Sequence, residues 1–322
     1  MDRITRAEYI GLRMTKRVLV TGGSGMVGHA LKGIIPEALF LSSKQCDLRN
    51  KEKVDQLFHS YRPQQVIHLA AKVGGVGANM RYMGDFYHDN IRINTNVLAA
   101  AHEYGAEKVL SLLSTCIYPE KITYPLTENQ IHHGEPHNTN FAYAYSKRML
   151  DVQSRAYRQQ YGCNFVTLVP NNLFGENDNY HLQDSHVIPA IMHKILLAKQ
   201  TGGDVTLWGD GSPLREFTYS GDLAKIILLL LDSYNEPAPI NVGNGAEYTI
   251  KEVATMLAHR MKFEGKILWD SSMPAGQLRK PSDSGRLSEY GWQPSDYTPF
   301  IHALEKSCDW FLEKYPNVRG VL

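Results

Sequence analysis

Apolar and β-branched runs alternate with amphipathic stretches along the first half of the chain. The runs have the length of buried strands and occupy residues 17–21, 38–41, 65–71 and 108–113. The stretches with apolar positions at helical spacing occupy residues 27–35, 51–61, 89–104 and 143–161. This alternation predicts an α/β fold with a doubly wound parallel sheet, whose site lies beyond the carboxyl ends of the strands.

The second half of the chain has a different pattern. Residues 204–218 have the pattern of a strand, a turn and a second strand. The run 226–231 is apolar throughout, but it is too short to cross a bilayer and predicts a buried helix. We expect residues 217–233 to return to the first lobe, so that the two lobes interleave.

Composition narrows the class of protein. The chain has 322 residues, of which 43% are hydrophobic and 21% charged, as in ordinary globular proteins. Its net charge of +1 gives no general attraction to nucleic acid or to a membrane, and we predict neither as a partner. The four cysteines match neither a CxxC metal site nor a disulfide framework, so we predict no metal and a cytoplasmic setting. Residues 1–13 are set aside as an N-terminal tail without a signal peptide.

A glycine-rich turn follows the first predicted strand. Gly22, Gly25 and Gly28 are spaced three residues apart, and Met26 and Val27 begin an apolar helical pattern. This spacing suits a tight turn, close approach of the backbone to a pyrophosphate and close packing of helix on strand. Such a turn also occurs without a ligand, but its place between a strand and a helix favours dinucleotide binding.

The end of the second strand bears on which dinucleotide binds. Folds that prefer NAD place an acidic residue there for the ribose hydroxyls. Here Ser43 and Lys44 follow the strand, and Asp47 comes later, where we expect it near the adenine. The sequence therefore favours NADP(H), with Ser43 and Lys44 at the 2′-phosphate; the alternative for Lys44 is a solvated loop position.

The third strand completes the predicted cofactor lobe. It ends in Leu69, Ala70 and Ala71, and the small alanines let a cofactor lie across the strand end. We predict a Rossmann domain that binds NADP at 14–175, which the chain re-enters near 214–240. Residues 176–322 then form mainly a smaller, interleaved C-terminal substrate domain.

Two segments carry candidate chemistry. Tyr143 and Lys147 lie one helical turn apart on the same face, where the lysine's charge can lower the pKa of the phenol. Ser114, directly after the fourth strand, can donate a second hydrogen bond to the same carbonyl oxygen. Cys116 follows two residues later, where a thiol can move a proton on carbon, although a free cysteine also occurs as a small buried residue. The combination indicates an enzyme that both epimerises and reduces.

These residues resemble the extended short-chain dehydrogenase/reductase family, whose members act on nucleotide sugars. Ser114, Tyr143 and Lys147 match the catalytic triad of that family, and the resemblance runs from Thr15 to the C-terminus. Three further segments are similar to the members that act on GDP-4-keto-6-deoxy-D-mannose: 70–79, 114–119, and 170–175 with its continuation to 190. Pro170-Asn171-Asn172 departs from the family's Pro-Thr-Asn but retains Asn172.

The resemblance implies a specific chemistry. A ketone at C4 makes the hydrogens on C3 and C5 acidic, and Cys116 and His186 are the implied acid/base pair for both carbons. NADPH then reduces C4, and Tyr143 protonates O4. The alternative for His186 is a purely structural role.

The resemblance also assigns binding roles. Implied contacts to the cofactor, beyond the residues above, are Tyr143, Lys147, Pro170, Asn172 and His186. Implied contacts to the nucleotide sugar are Asn79, Asn172, Lys194, Trp208, Arg215 and Lys280. Relatives dimerise through two long helices, so a homodimer through 89–104 and 143–161 is expected.

Two other functions remain open from the residues alone. An NAD-dependent nucleotide-sugar 4-epimerase needs neither Cys116 nor His186, and a 4,6-dehydratase needs a carboxylic acid pair where this chain has Cys116-Ile117. A non-catalytic module that senses NADP is the third hypothesis, but such modules often lack the tyrosine or the lysine.

Overall fold

The computed structural model describes residues 16–273 and 277–321, so the N-terminal tail predicted at 1–13 lies outside the described residues. The strands are β1 (Val18–Thr21), β2 (Leu39–Leu41), β3 (Gln65–His68), β4 (Lys108–Leu112), β5 (Phe165–Pro170), β6 (Asn172–Phe174), β7 (Val205–Trp208), β8 (Leu214–Tyr219), β9 (Ile240–Val242), β10 (Glu247–Thr249) and β11 (Ile267–Asp270). The helices are α1 (Met26–Lys32), α2 (Lys51–Tyr61), α3 (Val76–Arg81), α4 (Met83–Glu103), α5 (Phe141–Tyr161), α6 (Val187–Thr201), α7 (Ser220–Ser233), α8 (Ile250–Arg260), α9 (Arg286–Glu289) and α10 (Phe300–Lys314).

A parallel sheet forms the centre of the larger lobe. Within the described residues its strands lie in the order β2-β1-β3-β4-β5-β9, and every neighbouring pair is parallel. The chain goes from β1 to β2 on one side and then crosses to β3 on the other. This reversal opens a crevice at the carboxyl ends of the strands, where ligands of such sheets bind.

Helices cover both faces of the main sheet. On one face α1 and α7 pack together, with Leu31 and Ile227 in their shared core. On the other face α2, α4 and α5 bury Phe58, Val97 and Leu150 against the strands. Because both faces are covered, most residues of these strands are buried and apolar, as their β-branched sequences predicted. The predicted doubly wound α/β fold is confirmed.

The smaller lobe has two short sheets within the described residues. The strand β8 lies between β6 and β10, and β7 pairs with β11. A separate core that includes Ile195, Leu257 and Phe311 joins α6, α8 and α10 to these strands. The chain leaves this lobe after β8, forms α7 and β9 in the larger lobe, and returns at β10.

The helix α4 departs from its predicted start at residue 89. The helix α4 begins at Met83, six residues before the predicted start, although Gly84 lies in its first turn. Phe86 in this added segment is buried and contacts the Tyr143 ring edge-on, with 6.3 Å between ring centroids. A tertiary contact therefore stabilises a turn that the local sequence disfavours.

Two global expectations concern membranes and thiols. Across 16–273 and 277–321, no helix combines the length and the hydropathy needed to cross a bilayer. Cys46, Cys116, Cys163 and Cys308 are free thiols. The cytoplasmic setting stays a prediction.

Candidate active site

A cavity of about 1040 Å³ lies over the carboxyl ends of the main-sheet strands. The larger lobe contributes residues 69–71, 112–114 and 170–172 to its wall, and the smaller lobe contributes Leu207, Trp208 and Arg215. This volume is at the upper end of the range for small-molecule sites, as a cofactor and a substrate together require. Every site residue predicted from the sequence lies on this wall except Lys44.

The glycine turn forms one end of the cavity. Gly22 has a φ of +71°, and a Cβ at this position would lie 2.8 Å from the Ala70 amide nitrogen. A Cβ on Gly28 would lie 2.5 Å from the Gly23 carbonyl oxygen, so only glycine lets α1 pack this close to the turn. Gly25 caps α1 without a side-chain hydrogen bond, which leaves the first amides open toward the cavity. The turn therefore fits the pyrophosphate of a dinucleotide.

The predicted 2′-phosphate residues separate in the structure. Ser43 lines the cavity, whereas Lys44 is exposed and lies outside its wall. Arg49, which the sequence reasoning missed, lies on the wall instead. Its guanidinium donates to both oxygens of Asp47 at 2.9 Å, and it also contacts Asp89 at 3.3 Å. The missed signal was a basic residue two positions after Asp47.

The serine–tyrosine–lysine set is assembled from two elements. Ser114 caps the 3-10 turn Thr115–Ile117, and its Oγ accepts a hydrogen bond from the Cys116 amide at 3.3 Å. The helix α5 presents Tyr143 and Lys147 to the same cavity. The Lys147 Nζ donates to the Leu112 carbonyl at 2.8 Å and lies 6.0 Å from the centre of the Tyr143 ring.

Burial changes the proton affinities in this set. It raises the pKa of the Tyr143 phenol, with a further contribution from the charge of Cys116. It lowers the pKa of Lys147 to about 8. In the free protein the pKa of the phenol is therefore raised and not lowered as expected, because desolvation disfavours the charged phenolate. Tyr143 rests as a neutral phenol, which is the form that donates a proton.

Cys116 and His186 lie on the same cavity wall although 70 positions separate them in the chain. The Cys116 thiol is half-buried on the 3-10 turn, and its charge acts on Tyr143, Arg215 and Lys280. His186 is exposed to the cavity at the N-terminal end of α6. The structure thus places the thiol and the imidazole of the predicted acid/base pair on one wall.

Three predicted substrate cations lie on the smaller lobe's side of the cavity. Burial lowers the pKa of Lys194, Arg215 and Lys280, and the charge of Arg215 lowers that of Lys280 further. Lys194 donates to the Thr206 carbonyl at 3.1 Å and Arg215 to the Leu214 carbonyl at 2.8 Å. Three half-buried cations with no carboxylate partner in the described residues attract an anion, and a diphosphate fits this requirement.

The predicted Asn79 and Trp208 lie on the cavity wall beside the glycine loop 74–77. The Asn79 amide nitrogen donates to the Gly74 and Gly75 carbonyls at 2.8 and 3.0 Å, which holds the glycine loop 74–77. Its Oδ1 is buried without a hydrogen-bond partner in the described part of the chain. Trp208 is 40% exposed, and its ring lies 3.4 Å from the position of a Cβ on Gly77.

Asn171 and Asp178 are buried polar residues of the wall that were not assigned from the sequence. The Asn171 side chain is buried, and neither the oxygen nor the nitrogen of its side-chain amide has a hydrogen-bond partner within 16–273 and 277–321. Asp178 is buried on the same wall. Both lie in the segment 170–190 that resembles the family, and this resemblance was the sequence signal that could have identified them.

Comparisons with known proteins agree with this geometry. The model of the NAD dependent epimerase/dehydratase family matches residues 18–243. The chain is 43% identical over 313 residues to the GDP-L-fucose synthase of Dictyostelium discoideum, which covers 94% of this chain and 98% of that protein. It is 40% identical over 320 residues to the probable GDP-L-fucose synthase of Drosophila melanogaster, covering 94% and 99%. The crystal structure of a GDP-L-fucose synthetase from Naegleria fowleri bound to NADP matches with a TM-score of 0.88 and 39% identity, over 95% of both chains.

Proposed function

The chain belongs to the NAD dependent epimerase/dehydratase family, and on this premise we propose that it catalyses the GDP-L-fucose synthase reaction. This reaction converts GDP-4-keto-6-deoxy-D-mannose to GDP-L-fucose by epimerisation at C3 and C5 and NADPH-dependent reduction at C4. The observation that carries the proposal is the shared cavity wall of Ser114, Cys116, Tyr143, Lys147 and His186. A reductase alone needs only three of these residues.

The epimerisation rests on Cys116 and His186. One of the two removes a proton from C3 or C5, and the other returns a proton to the opposite face of the same carbon. The negative charge that develops on O4 meets the hydroxyl groups of Ser114 and Tyr143, which donate hydrogen bonds to it. The same donors serve both carbons, so the sugar can stay bound between the two inversions.

The reduction uses the other members of the site. When bound, NADPH supplies the hydride for C4. Tyr143 is the proton donor for O4, since burial keeps its phenol protonated. Lys147, with a pKa of about 8, is mostly charged at neutral pH and stabilises the negative charge that forms on the phenol as it gives up its proton.

Substrate binding follows from the cations of the smaller lobe. Arg215 and Lys280 lie within electrostatic reach of each other and of Cys116, so a diphosphate held there places the attached hexose next to the thiol. Arg215 can hold phosphate oxygens through two parallel hydrogen bonds. The adjacent Glu216 does not occupy this guanidinium, since its carboxylate accepts hydrogen bonds from Gly245 and Ser282.

The other enzyme classes fit this wall less well. A 4,6-dehydratase needs a carboxylic acid pair after β4, where the 3-10 turn Thr115–Ile117 presents a thiol. A 4-epimerase has no use for the pairing of Cys116 with His186. Full-length relatives named GDP-L-fucose synthase support the first reading.

A homodimer is the second part of the proposal. The outer face of the α4–α5 pair exposes apolar side chains, with Tyr87 44%, Met149 37% and Val152 39% accessible. Thr95 of α4 bonds Gln153 of α5 at 3.3 Å, so the two helices form one continuous surface. A second copy of the same face would bury these side chains.

The decisive experiment incubates the protein with GDP-4-keto-6-deoxy-D-mannose and NADPH in deuterated water. We expect loss of the reduced cofactor's absorbance and deuterium at both C3 and C5 of the product. Cofactor oxidation without deuterium would indicate a simple 4-reductase. Deuterium without cofactor oxidation would leave only an epimerase, and the absence of both would refute the function.

A further inference from the structure

Asp178 is a buried carboxylate with an incomplete set of hydrogen bonds. It is 8% exposed and lies on the cavity wall. Its Oδ1 accepts a hydrogen bond from the Asn179 amide at 2.7 Å. Its Oδ2 is fully buried and has no partner within the described residues. A buried carboxylate oxygen is costly unless a donor reaches it, so this atom requires a partner that the resting geometry does not supply.

Two side chains that can carry positive charge face Asp178 and are the candidates to donate a hydrogen bond to its Oδ2. Burial raises the pKa of its carboxyl, whereas the charges of His186 and Arg319 lower it. Tyr180, on the other side, has its own pKa raised by burial and by the charge of Asp178. His186 and Arg319 are both exposed and both line the cavity, and neither side chain makes a hydrogen bond within the described residues. Of the two charges, that of His186 acts more strongly on the carboxyl, so we take the imidazole as the donor.

The backbone around Asp178 is held firmly. Asn177 has a φ of +64°, in the left-handed region, which turns the chain immediately before the carboxylate. On the far side, the Tyr180 amide donates to the Arg319 carbonyl at 2.8 Å. A Cβ on Gly320 would lie 2.1 Å from the Asn179 Oδ1, so the C-terminal segment packs directly on residues 178–181. The carboxylate therefore has a defined position.

We propose that Asp178 is the positioning residue for His186, accepting a hydrogen bond from one ring nitrogen so that the other faces the hexose. This inference rests on the proposed epimerase function of His186. A carboxylate bonded to one nitrogen of an imidazole selects the tautomer, fixes the ring and stabilises its protonated form. All three effects serve a histidine that must take and return a proton. Such hydrogen bonds are often loose in a free enzyme and tighten when substrate enters.

The kinetic test compares Asp178→Asn with Asp184→Asn, a half-exposed carboxylate of the same segment that pairs with Arg81 instead. Deuterium incorporation at C3 and C5 is measured without NADPH, so that reduction does not intervene. We expect Asp178→Asn to lower the turnover of exchange by about 10- to 100-fold, with a change in KM of less than about threefold. Asp184→Asn should match the wild type. Equal exchange by Asp178→Asn and the wild type would overturn the inference.

A spectroscopic test does not depend on turnover. In protein labelled with ¹⁵N histidine, the ring signal of His186 is the one that His186→Gln removes. Asp178→Asn should shift this signal, whereas Asp184→Asn should leave it in place. An unmoved signal, or an equal loss of exchange in Arg319→Gln, would show that Asp178 acts on Arg319 and not on His186. Either result would overturn the inference.

Two controls keep the outcomes distinct. Thermal unfolding and NADPH affinity should stay near wild-type values in Asp178→Asn; if that variant does not fold, Asp178→Ser, which also removes the charge, takes its place with the same expectations. If the wild type itself incorporates no deuterium, the epimerase function fails and the inference falls with it. If the wild type exchanges and the variant equals it, only the role of Asp178 fails.

Discussion

Burial controls the proton affinities of Tyr143 and Lys147. The Tyr143 phenol and the Lys147 ammonium are both desolvated, and desolvation favours the neutral form of each. For Tyr143 the neutral form is the proton donor that reduction needs. For Lys147 the charged form is the useful one, and the protein retains it at neutral pH at a cost in stability.

Lys147→Met should therefore stabilise the free protein while abolishing reduction. The fall in the pKa of Lys147 from 10.5 to about 8 corresponds to roughly 3 kcal/mol at about 1.36 kcal/mol per unit. The lost hydrogen bond to Leu112 offsets about 1 kcal/mol of this. At pH 7 we expect the variant to exceed the wild type by about 1–3 kcal/mol in the free energy of unfolding.

The sign of the pH dependence checks this account. The folded protein releases the Lys147 proton near pH 8 and the unfolded chain near 10.5, so the wild type gains stability as pH rises between these values. Its deficit relative to Lys147→Met should shrink over this window. Denaturant titrations at pH 7 and pH 10 measure the difference; a deficit that grows with pH would contradict the pKa.

Cys116→Ser tests the residue that separates epimerisation from reduction. A hydroxyl is a far weaker acid than a thiol, so deuterium exchange at C3 and C5 should fall by roughly 10²- to 10⁴-fold. NADPH affinity should change by less than about twofold. Cys163→Ser is the matched control, since this half-buried thiol lies at the end of α5 beside His102 and away from the cavity. Unchanged exchange in Cys116→Ser would remove the thiol from the mechanism.

At the scale of elements, α5 joins the two chemistries. It presents Tyr143 and Lys147 to the cavity, and its buried Arg148 donates to the Ile117 carbonyl at 2.6 Å and to the Gly134 carbonyl at 2.7 Å. These bonds fix the 3-10 turn that carries Cys116 relative to the helix that carries Tyr143. The spacing of Tyr143 and Lys147 was visible in the sequence, whereas the contact of Arg148 with a turn 31 positions earlier was not.

The glycine turn and α1 form the second functional element. Gly28→Ala places a methyl group 2.5 Å from the Gly23 carbonyl oxygen, so the helix must move away from the turn. We expect NADPH affinity to fall at least about tenfold and the free energy of unfolding to fall by about 1–3 kcal/mol. Isothermal titration and denaturant unfolding measure the two quantities.

Gly33→Ala is the matched control for this element. Gly33 follows the same helix with right-handed φ and ψ angles, and the nearest atom to its Cβ would be 3.5 Å away. This change should leave NADPH affinity unaltered and raise stability by up to about 1 kcal/mol. A similar loss of NADPH affinity in both variants would contradict this prediction, because Gly33 has no close contact that an added methyl group would disturb.

At the scale of the molecule, the interleaved chain path makes the cavity a joint product of the two lobes. The Cys116 sulfur and the Tyr143 phenol come from the larger lobe. Arg215 comes from β8 of the smaller lobe, directly before the chain returns to the larger lobe as α7 and β9. The cations thus reach the catalytic wall without a long linker. The α4–α5 face lies outside this arrangement and is free for another copy of the chain.

The proposed homodimer can be tested by introducing negative charges into its interface. Met149→Glu combined with Val152→Glu places two carboxylates on the exposed α5 face, and we expect light scattering to show a monomer where the wild type shows a dimer. Leu312→Glu on α10, a position of similar exposure at 39%, should leave the dimer intact. A double variant that remains dimeric would place the interface elsewhere.

The sequence alone determined the doubly wound sheet, the glycine turn and the bounds of α2, because hydrophobic periodicity and glycine spacing are local properties. It also placed Ser114, Cys116, Tyr143 and Lys147 by motif. Only the tertiary structure decided which distant residues share a wall: His186 with Cys116, Arg49 in place of Lys44, and Asp178 with His186. It also decided the proton affinities of Tyr143 and Lys147, because desolvation depends on everything packed around a group and not on its neighbours in the chain.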